Sequence, residues 1–174
     1  MAGEILTRLG DIVYGEGETA FSAVIGEMLV GRKATLSVAE SCTGGRLASL
    51  MTDTPGSSRY FERGVVTYSN ASKTELIGVP APLIETFGAV SSEVAVAMAK
   101  GIRRVSKTTY GLAVTGVAGP DGGSANKPVG TVYIALDSDA GAEEREFHFP
   151  TNREWFKLVV SYTALGLLRK KLLG

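Results

Sequence analysis

Gly64-Val65-Val66-Thr67-Tyr68-Ser69-Asn70-Ala71-Ser72-Lys73, running on through Thr74-Glu75-Leu76-Ile77 to Gly78, is the stretch whose reading decides the fold. Its apolar and β-branched opening, 64–68, predicts a buried strand. Ser69-Asn70 breaks that run, and a helical pattern follows over 71–77 with Asn70 as N-cap and Gly78 just past its end. On that placement Lys73 falls in the first helical turn, where the helix dipole opposes a cation. A lysine held there and partly desolvated has a lowered pKa and can act as a base, with Tyr68 sharing its proton network. The competing reading is an exposed lysine directed at water.

Outward from this unit the chain repeats the same logic. Towards the N-terminus, Phe21, Val24, Ile25, Met28 and Leu29 mark a helix closing at Gly31. A β-prone run over 35–39 meets Glu40-Ser41-Cys42-Thr43-Gly44-Gly45 and then a helical segment over 46–51. The turn Asp53-Thr54-Pro55-Gly56-Ser57-Ser58 leads through Arg59-Tyr60-Phe61 into the Gly64 strand. Towards the C-terminus, a short helix is expected over 80–87. A longer one is capped by Ser91, with Val94, Met98, Ile102 and Val105 along one face. A buried strand over 110–115 ends in Gly116-Val117-Ala118-Gly119-Pro120-Asp121-Gly122-Gly123. Strands over 129–137 and 145–149 read as an antiparallel hairpin. Thr151-Asn152-Arg153-Glu154 fits a capping box opening a last helix, with Trp155, Leu158, Val159, Tyr162 and Leu165 inward. The expectation is a single three-layer α/β/α domain over 19–174. Its central sheet is mostly parallel, with an antiparallel hairpin near the C-terminus. Residues 1–18 read as an N-terminal extension of uncertain order, because Gly10, Gly15 and Gly17 interrupt its apolar spacing.

Composition narrows the function. The 174 residues suit one domain with a sizeable core, and 18 basic against 18 acidic residues create no global field to recruit nucleic acid. One cysteine forms no intrachain disulfide, and one histidine, His148, argues against a His-rich metal centre. No apolar run reaches the length of a membrane span and no signal-peptide core opens the chain, so a cytoplasmic protein is expected, with no membrane partner.

Three loops follow the carboxyl ends of expected strands: 40–45, 69–73 and 116–123. In open α/β sheets ligands gather at that edge. The first presents backbone N–H groups and the hydroxyls of Ser41 and Thr43 at a helix start, an anion site or a simple cap. Cys42 reads as a small buried thiol or, alternatively, a nucleophile. The third loop lacks the spacing of a Walker A or dinucleotide motif, yet its glycines let successive N–H groups converge on an oxyanion. Lys127 precedes the next strand and can point back to the crevice. Arg153 is either an anion clamp or a surface arginine.

Taken in order, these segments resemble the CinA C-terminal domain family, the nicotinamide mononucleotide deamidases. The resemblance is carried by Ala39-Glu40-Ser41-Cys42-Thr43-Gly44-Gly45, by Gly56-Ser57-Ser58, and by Tyr68-Ser69-Asn70 with Lys73. It continues through Gly88-Ala89-Val90-Ser91, Thr115-Gly116-Val117-Ala118-Gly119-Pro120-Asp121-Gly122-Gly123 and Lys127-Pro128-Val129-Gly130-Thr131-Val132. It implies hydrolysis of the carboxamide of nicotinamide mononucleotide to nicotinic acid mononucleotide and ammonia, with no metal and no cofactor. The implied catalytic residues are Ser58, Tyr68 and Lys73, with Ser41 a rival to Ser58. Substrate-binding positions are Ser41, Thr43 and Gly44 in the first loop, Asn70 in the second, and Thr115, Gly116 and Gly119 in the third, joined by Lys127 and Arg153. The expected partner is a small nucleotide, with a homo-oligomer expected as well. Long family members carry a further domain similar to molybdopterin-binding proteins. Since 174 residues leave no room for it, its pyrophosphatase chemistry is not carried over. Two rivals stay open: a Cys42-nucleophile amidase using Glu40 and Lys73, and a regulatory domain that binds a nucleotide without turnover.

Overall fold

A computed structural model describes residues 10–174; residues 1–9 of the expected extension lie outside the described residues. In chain order the elements are α1 (Phe21–Gly31), β1 (Leu36–Glu40), α2 (Arg46–Thr52), β2 (Phe61–Val66), α3 (Asn70–Ile77) and α4 (Ala81–Phe87). There follow α5 (Ser92–Ser106), β3 (Tyr110–Gly116), β4 (Thr131–Ser138), β5 (Gly141–His148) and α6 (Arg153–Leu173). The sheet order is β2-β1-β3-β4-β5, with β2, β1 and β3 parallel and β4 and β5 added antiparallel. This is the expected three-layer α/β/α arrangement with a C-terminal hairpin. No helix among the described residues is long and apolar enough to cross a membrane.

Alternation along the strands builds two different cores. Leu36, Val38, Leu112, Val114 and Ile134 face α1, α2 and α6, where large side chains such as Ile25, Leu47 and Phe156 meet them. Ala39, Ala113 and Ala135 face the other way and stand in register across the sheet. That row of small residues lets α5 lie close to the sheet, with Val94, Met98 and Ile102 fully buried on it, each contributing about 1.5–3 kcal/mol. The approach is tight enough that a Cβ at Gly111 would stand 2.3 Å from the Ala99 carbonyl oxygen. One at Gly101 would stand 2.2 Å from that of Ile77. Glycine is required at both positions.

Three local expectations change. β2 begins at Phe61 rather than Gly64, and as an edge strand it is mostly exposed, not buried. The N-cap of α3 is Ser69, one residue before Asn70, because Ser69 and Ser72 exchange side-chain-to-backbone bonds in a capping box. α6 is capped by Asn152, whose Oδ1 accepts from the Trp155 N–H. Its inner face is Phe156, Val160, Ala164, Leu165 and Leu168, leaving Trp155 and Tyr162 exposed.

The topology fixes where a site can form. From β1 the chain passes by α2 to β2 on one side, while from β3 it passes to β4 on the other. The carboxyl ends of the adjacent strands β1 and β3 therefore flank a switch point with an open crevice between their loops.

Candidate active site

Three strand ends converge on that crevice. The turn after β1 brings Ser41 and Cys42, the segment after β2 brings Tyr68 and Lys73, and the end of β3 brings Thr115 and Gly116. Together with Gly119 and Arg153 they line a cavity of about 290 Å³.

Lys73 is the feature that sets this cavity apart. It is 1% exposed and among the largest fully buried side chains. Its Nζ lies 2.8 Å from the Thr67 carbonyl oxygen and 3.4 Å from Ser41 Oγ. Burial lowers its pKa below the ordinary lysine value, with the Cys42 sulfur opposing weakly. α3 supplies the placement: the Ser69 capping box starts the helix, and Lys73 enters its first turn pointing inward at β1's carboxyl end. A desolvated amine in contact with a hydroxyl is the arrangement a general base needs.

Cys42 is governed by the opposite effect. Burial pushes its thiol up to about 12 and the Glu40 carboxylate adds to that, while its own backbone N–H, Lys73 and Arg153 pull the other way. A thiol so placed stays protonated and is a poor nucleophile.

Arg153, at the start of α6, bridges the two banks of the crevice. Its Nη1 donates to the Gly119 carbonyl oxygen at 2.8 Å and its Nη2 to the Tyr68 hydroxyl at 2.9 Å. Tyr68 itself is 60% exposed, so it stands at the mouth while Lys73 stands at the floor. Thr115 spends its hydroxyl on the Ala89 carbonyl oxygen at 2.7 Å, which pins the Ala89–Val90 wall of the cavity.

The structure does not bring Ser58 to this place within the chain. Ser58 is exposed in the 3₁₀ turn Ser57–Arg59. That turn leads into the first residue of β2, where the Leu36 N–H bonds the Tyr60 carbonyl at the amino edge of the sheet. Lys73 follows the carboxyl end of the same strand. Six residues of strand separate the two edges, roughly 20 Å at about 3.3 Å per residue. The serine in contact with Lys73 is Ser41.

Four further positions lie away from the cavity lining. Thr43 is buried with its hydroxyl unpartnered, and Gly44 sits beside the Lys157 amine. Asn70 lines a shallow depression between α3 and α4. Lys127 donates to the Phe87 carbonyl oxygen at 2.8 Å, closing the end of α4 instead of reaching the crevice. The expected anion site at the start of α2 is already filled from within: the Glu40 carboxylate accepts the N–H groups of Gly45, Leu47 and Ala48 at 3.0, 3.0 and 2.8 Å. Sequence reasoning named Glu40 only as a partner of Cys42 in the cysteine alternative, and left out Asp121, a carboxylate lining the cavity. The Thr67 carbonyl that anchors Lys73 has no sequence signal at all, since any residue supplies one. Among the described residues no three His, Cys, Asp or Glu side chains converge as a metal's donor set would.

Comparison with known proteins adds the lineage. The CinA C-terminal domain family matches residues 18–172. A CinA-like protein of Geotalea uraniireducens is 49% identical over 182 residues, covering 100% of this chain and 43% of the relative. One of Geobacter sulfurreducens is 48% identical, covering 95% of this chain and 40% of the relative. This chain thus spans less than half the length of those curated relatives. The crystal structure of a competence/damage inducible protein, CihA, from Agrobacterium tumefaciens superposes with a TM-score of 0.85 at 38% identity, covering 88% of this chain and 94% of that one.

Proposed function

The chain belongs to the CinA C-terminal domain family, and on that footing we propose that it is a metal-independent amidohydrolase deamidating nicotinamide mononucleotide, with Ser41 in place of Ser58 as its nucleophile. The observation that carries this reading is the buried contact between the Lys73 amine and Ser41 Oγ.

Neutral Lys73 takes the Ser41 proton as Oγ attacks the carboxamide carbon. The Cys42 N–H, next to the nucleophile and without a backbone acceptor among the described residues, would turn from its own thiol to the developing oxyanion. Such a donor is typically worth about 3–4 kcal/mol. The lysine ammonium returns its proton to the departing nitrogen, ammonia leaves, and an ester on Ser41 remains. Water, deprotonated by the same amine, cleaves that ester and releases nicotinic acid mononucleotide. Arg153 has donors left after Tyr68 and Gly119 and would meet the nucleotide phosphate at the mouth. Tyr68, bonded to Arg153, would orient the substrate between mouth and floor.

The contact of 3.4 Å is looser than a productive hydrogen bond and is expected to tighten around bound substrate. The cysteine alternative fits less well: its thiol is held protonated, and Glu40, its supposed partner, is engaged by three amides. Ammonia release from nicotinamide mononucleotide tests the reading directly. Turnover lost in Ser41→Ala supports it. Tight binding without ammonia would favour a domain that only senses the nucleotide.

A further inference from the structure

Glu40 has no exposed surface and does not line the cavity, yet both halves of the candidate dyad are tied to it. Through its side chain it accepts three amide N–H groups at the start of α2. That helix has no side-chain cap of its own, since its N-cap is Gly45, so Glu40 caps it from five residues upstream. The bond closes the turn 41–45 into a ring, with Ser41 its first member. Ser41's own N–H is held by the Val114 carbonyl oxygen, which fixes the other side of that ring to β3.

Through its backbone Glu40 reaches the base. Its carbonyl oxygen accepts the Thr67 N–H at 2.7 Å and, more loosely, the Thr67 hydroxyl at 3.4 Å. The Thr67 carbonyl oxygen in turn accepts from Lys73 Nζ at 2.8 Å. One residue therefore sets the nucleophile's turn and, two bonds away, the anchor of the amine. A buried carboxylate tolerates desolvation only when its oxygens are fully satisfied, and three short amide bonds achieve that with little room for movement.

We propose that Glu40 is a positioning residue, whose carboxylate holds the Ser41 turn so that Ser41 Oγ stays within reach of Lys73. This rests on the reading of Ser41 as nucleophile, though not on the identity of the amide it attacks. Glutamine at this position would turn an NH₂ towards backbone N–H groups, shift the turn, and leave the substrate's contacts untouched.

The test compares Glu40→Gln and Glu40→Asp with the parent. The readouts are kcat and KM for ammonia release from nicotinamide mononucleotide, Ser41 labelling by a small sulfonyl fluoride, and the thermal midpoint. Expected for Glu40→Gln is a kcat lower by about 10²-fold, the scale of a small misplacement of reacting groups, at nearly unchanged KM and with slowed labelling. Glu40→Asp, which keeps the charge on a shorter arm, should recover part of both. A purely structural cap predicts a lower thermal midpoint with kcat and labelling of the folded protein within about threefold of the parent, and that result overturns the proposal. If Glu40→Gln does not fold, Glu40→Asp carries the same comparison. Labelling that depends on Glu40 in a protein releasing no ammonia upholds the proposal and removes the substrate. A parent in which Ser41 is neither labelled nor needed for ammonia release overturns both.

Discussion

The Lys73 amine donates to the Thr67 carbonyl oxygen at 2.8 Å, and that bond fixes where the amine stands beside Ser41. With one N–H held by a carbonyl, a neutral amine keeps its lone pair for a second neighbour, and the neighbour present is Ser41 Oγ. A main-chain acceptor carries no full charge, so it holds the amine with a weaker pull towards the ammonium form than a carboxylate would exert. Desolvation then wins over the weak opposing pull of Cys42.

Ser41→Ala should lower kcat for ammonia release by on the order of 10³-fold or more, the scale seen when a nucleophile is removed. Ser58→Ala, at an exposed turn on the far edge of the sheet, should leave kcat within about twofold, as surface substitutions usually do. Steady-state kinetics on both variants checks the pair. A large loss in Ser58→Ala with activity kept in Ser41→Ala reverses the assignment.

Lys73 makes a prediction about pH with a definite sign. As a base it acts when neutral, so kcat/KM should rise with pH through a midpoint below the ordinary lysine value of 10.5. Stability follows from linkage. Between the lowered folded value and 10.5 the unfolded chain binds the extra proton, so this residue's contribution to stability rises with pH across that window and is least favourable below it. Lys73→Met should lose activity while its thermal midpoint, relative to the parent, is highest near neutrality and falls back as pH approaches 10. A parent whose rate has no ascending limb below 10.5 contradicts this.

Cys42 should be dispensable. With its thiol pushed up to about 12, only about one molecule in 10⁴ carries the thiolate at pH 8. Iodoacetamide at that pH should leave activity intact over hours, and Cys42→Ala should keep kcat within about threefold. Rapid inactivation protected by substrate would restore the thiol as a candidate.

Arg153 should act chiefly on binding. Arg153→Met removes the bridge from Tyr68 to Gly119 and, on the proposed reading, a phosphate partner. KM for the nucleotide is expected to rise by about 10-fold or more, while the dephosphorylated riboside loses little. Equal losses on both substrates would place Arg153's role in the bridge alone.

Much of this was legible in the chain because the signals were local. The α5 stripe of Val94, Met98 and Ile102, the β3 run and the hairpin follow from period alone, and Lys73's position in a first turn follows from the strand–break–helix of its own segment. What failed was non-local. α6 carries apolar side chains around much of its surface, so Trp155 and Tyr162 competed with Phe156 and Val160 for the inner face, and only the sheet beneath decides. Val66 looks like a core strand residue, but β2 is an edge and leaves it exposed. Gly56-Ser57-Ser58 has the look of a catalytic turn, and only the parallel register of β1 and β2 shows that within one chain it stands at the sheet edge opposite Lys73. Glu40 gave no sign of its three amide partners, because a glutamate closing a strand is ordinarily a surface residue.

The pairing of Tyr68 with Arg153 spans 85 positions, whereas Lys73 and Ser41 are only 32 apart. On the ribosome, where the amino end emerges first, serine and amine are therefore available long before the guanidinium that joins the two banks of the crevice. A nascent polypeptide interrupted before α6 would lack both that strap and the helix's buried face. Premature termination would yield a fragment that lacks the Phe156, Val160 and Leu165 side of the core and the Arg153 link to Tyr68, so on the proposed reading no hydrolysis would precede synthesis of the final helix.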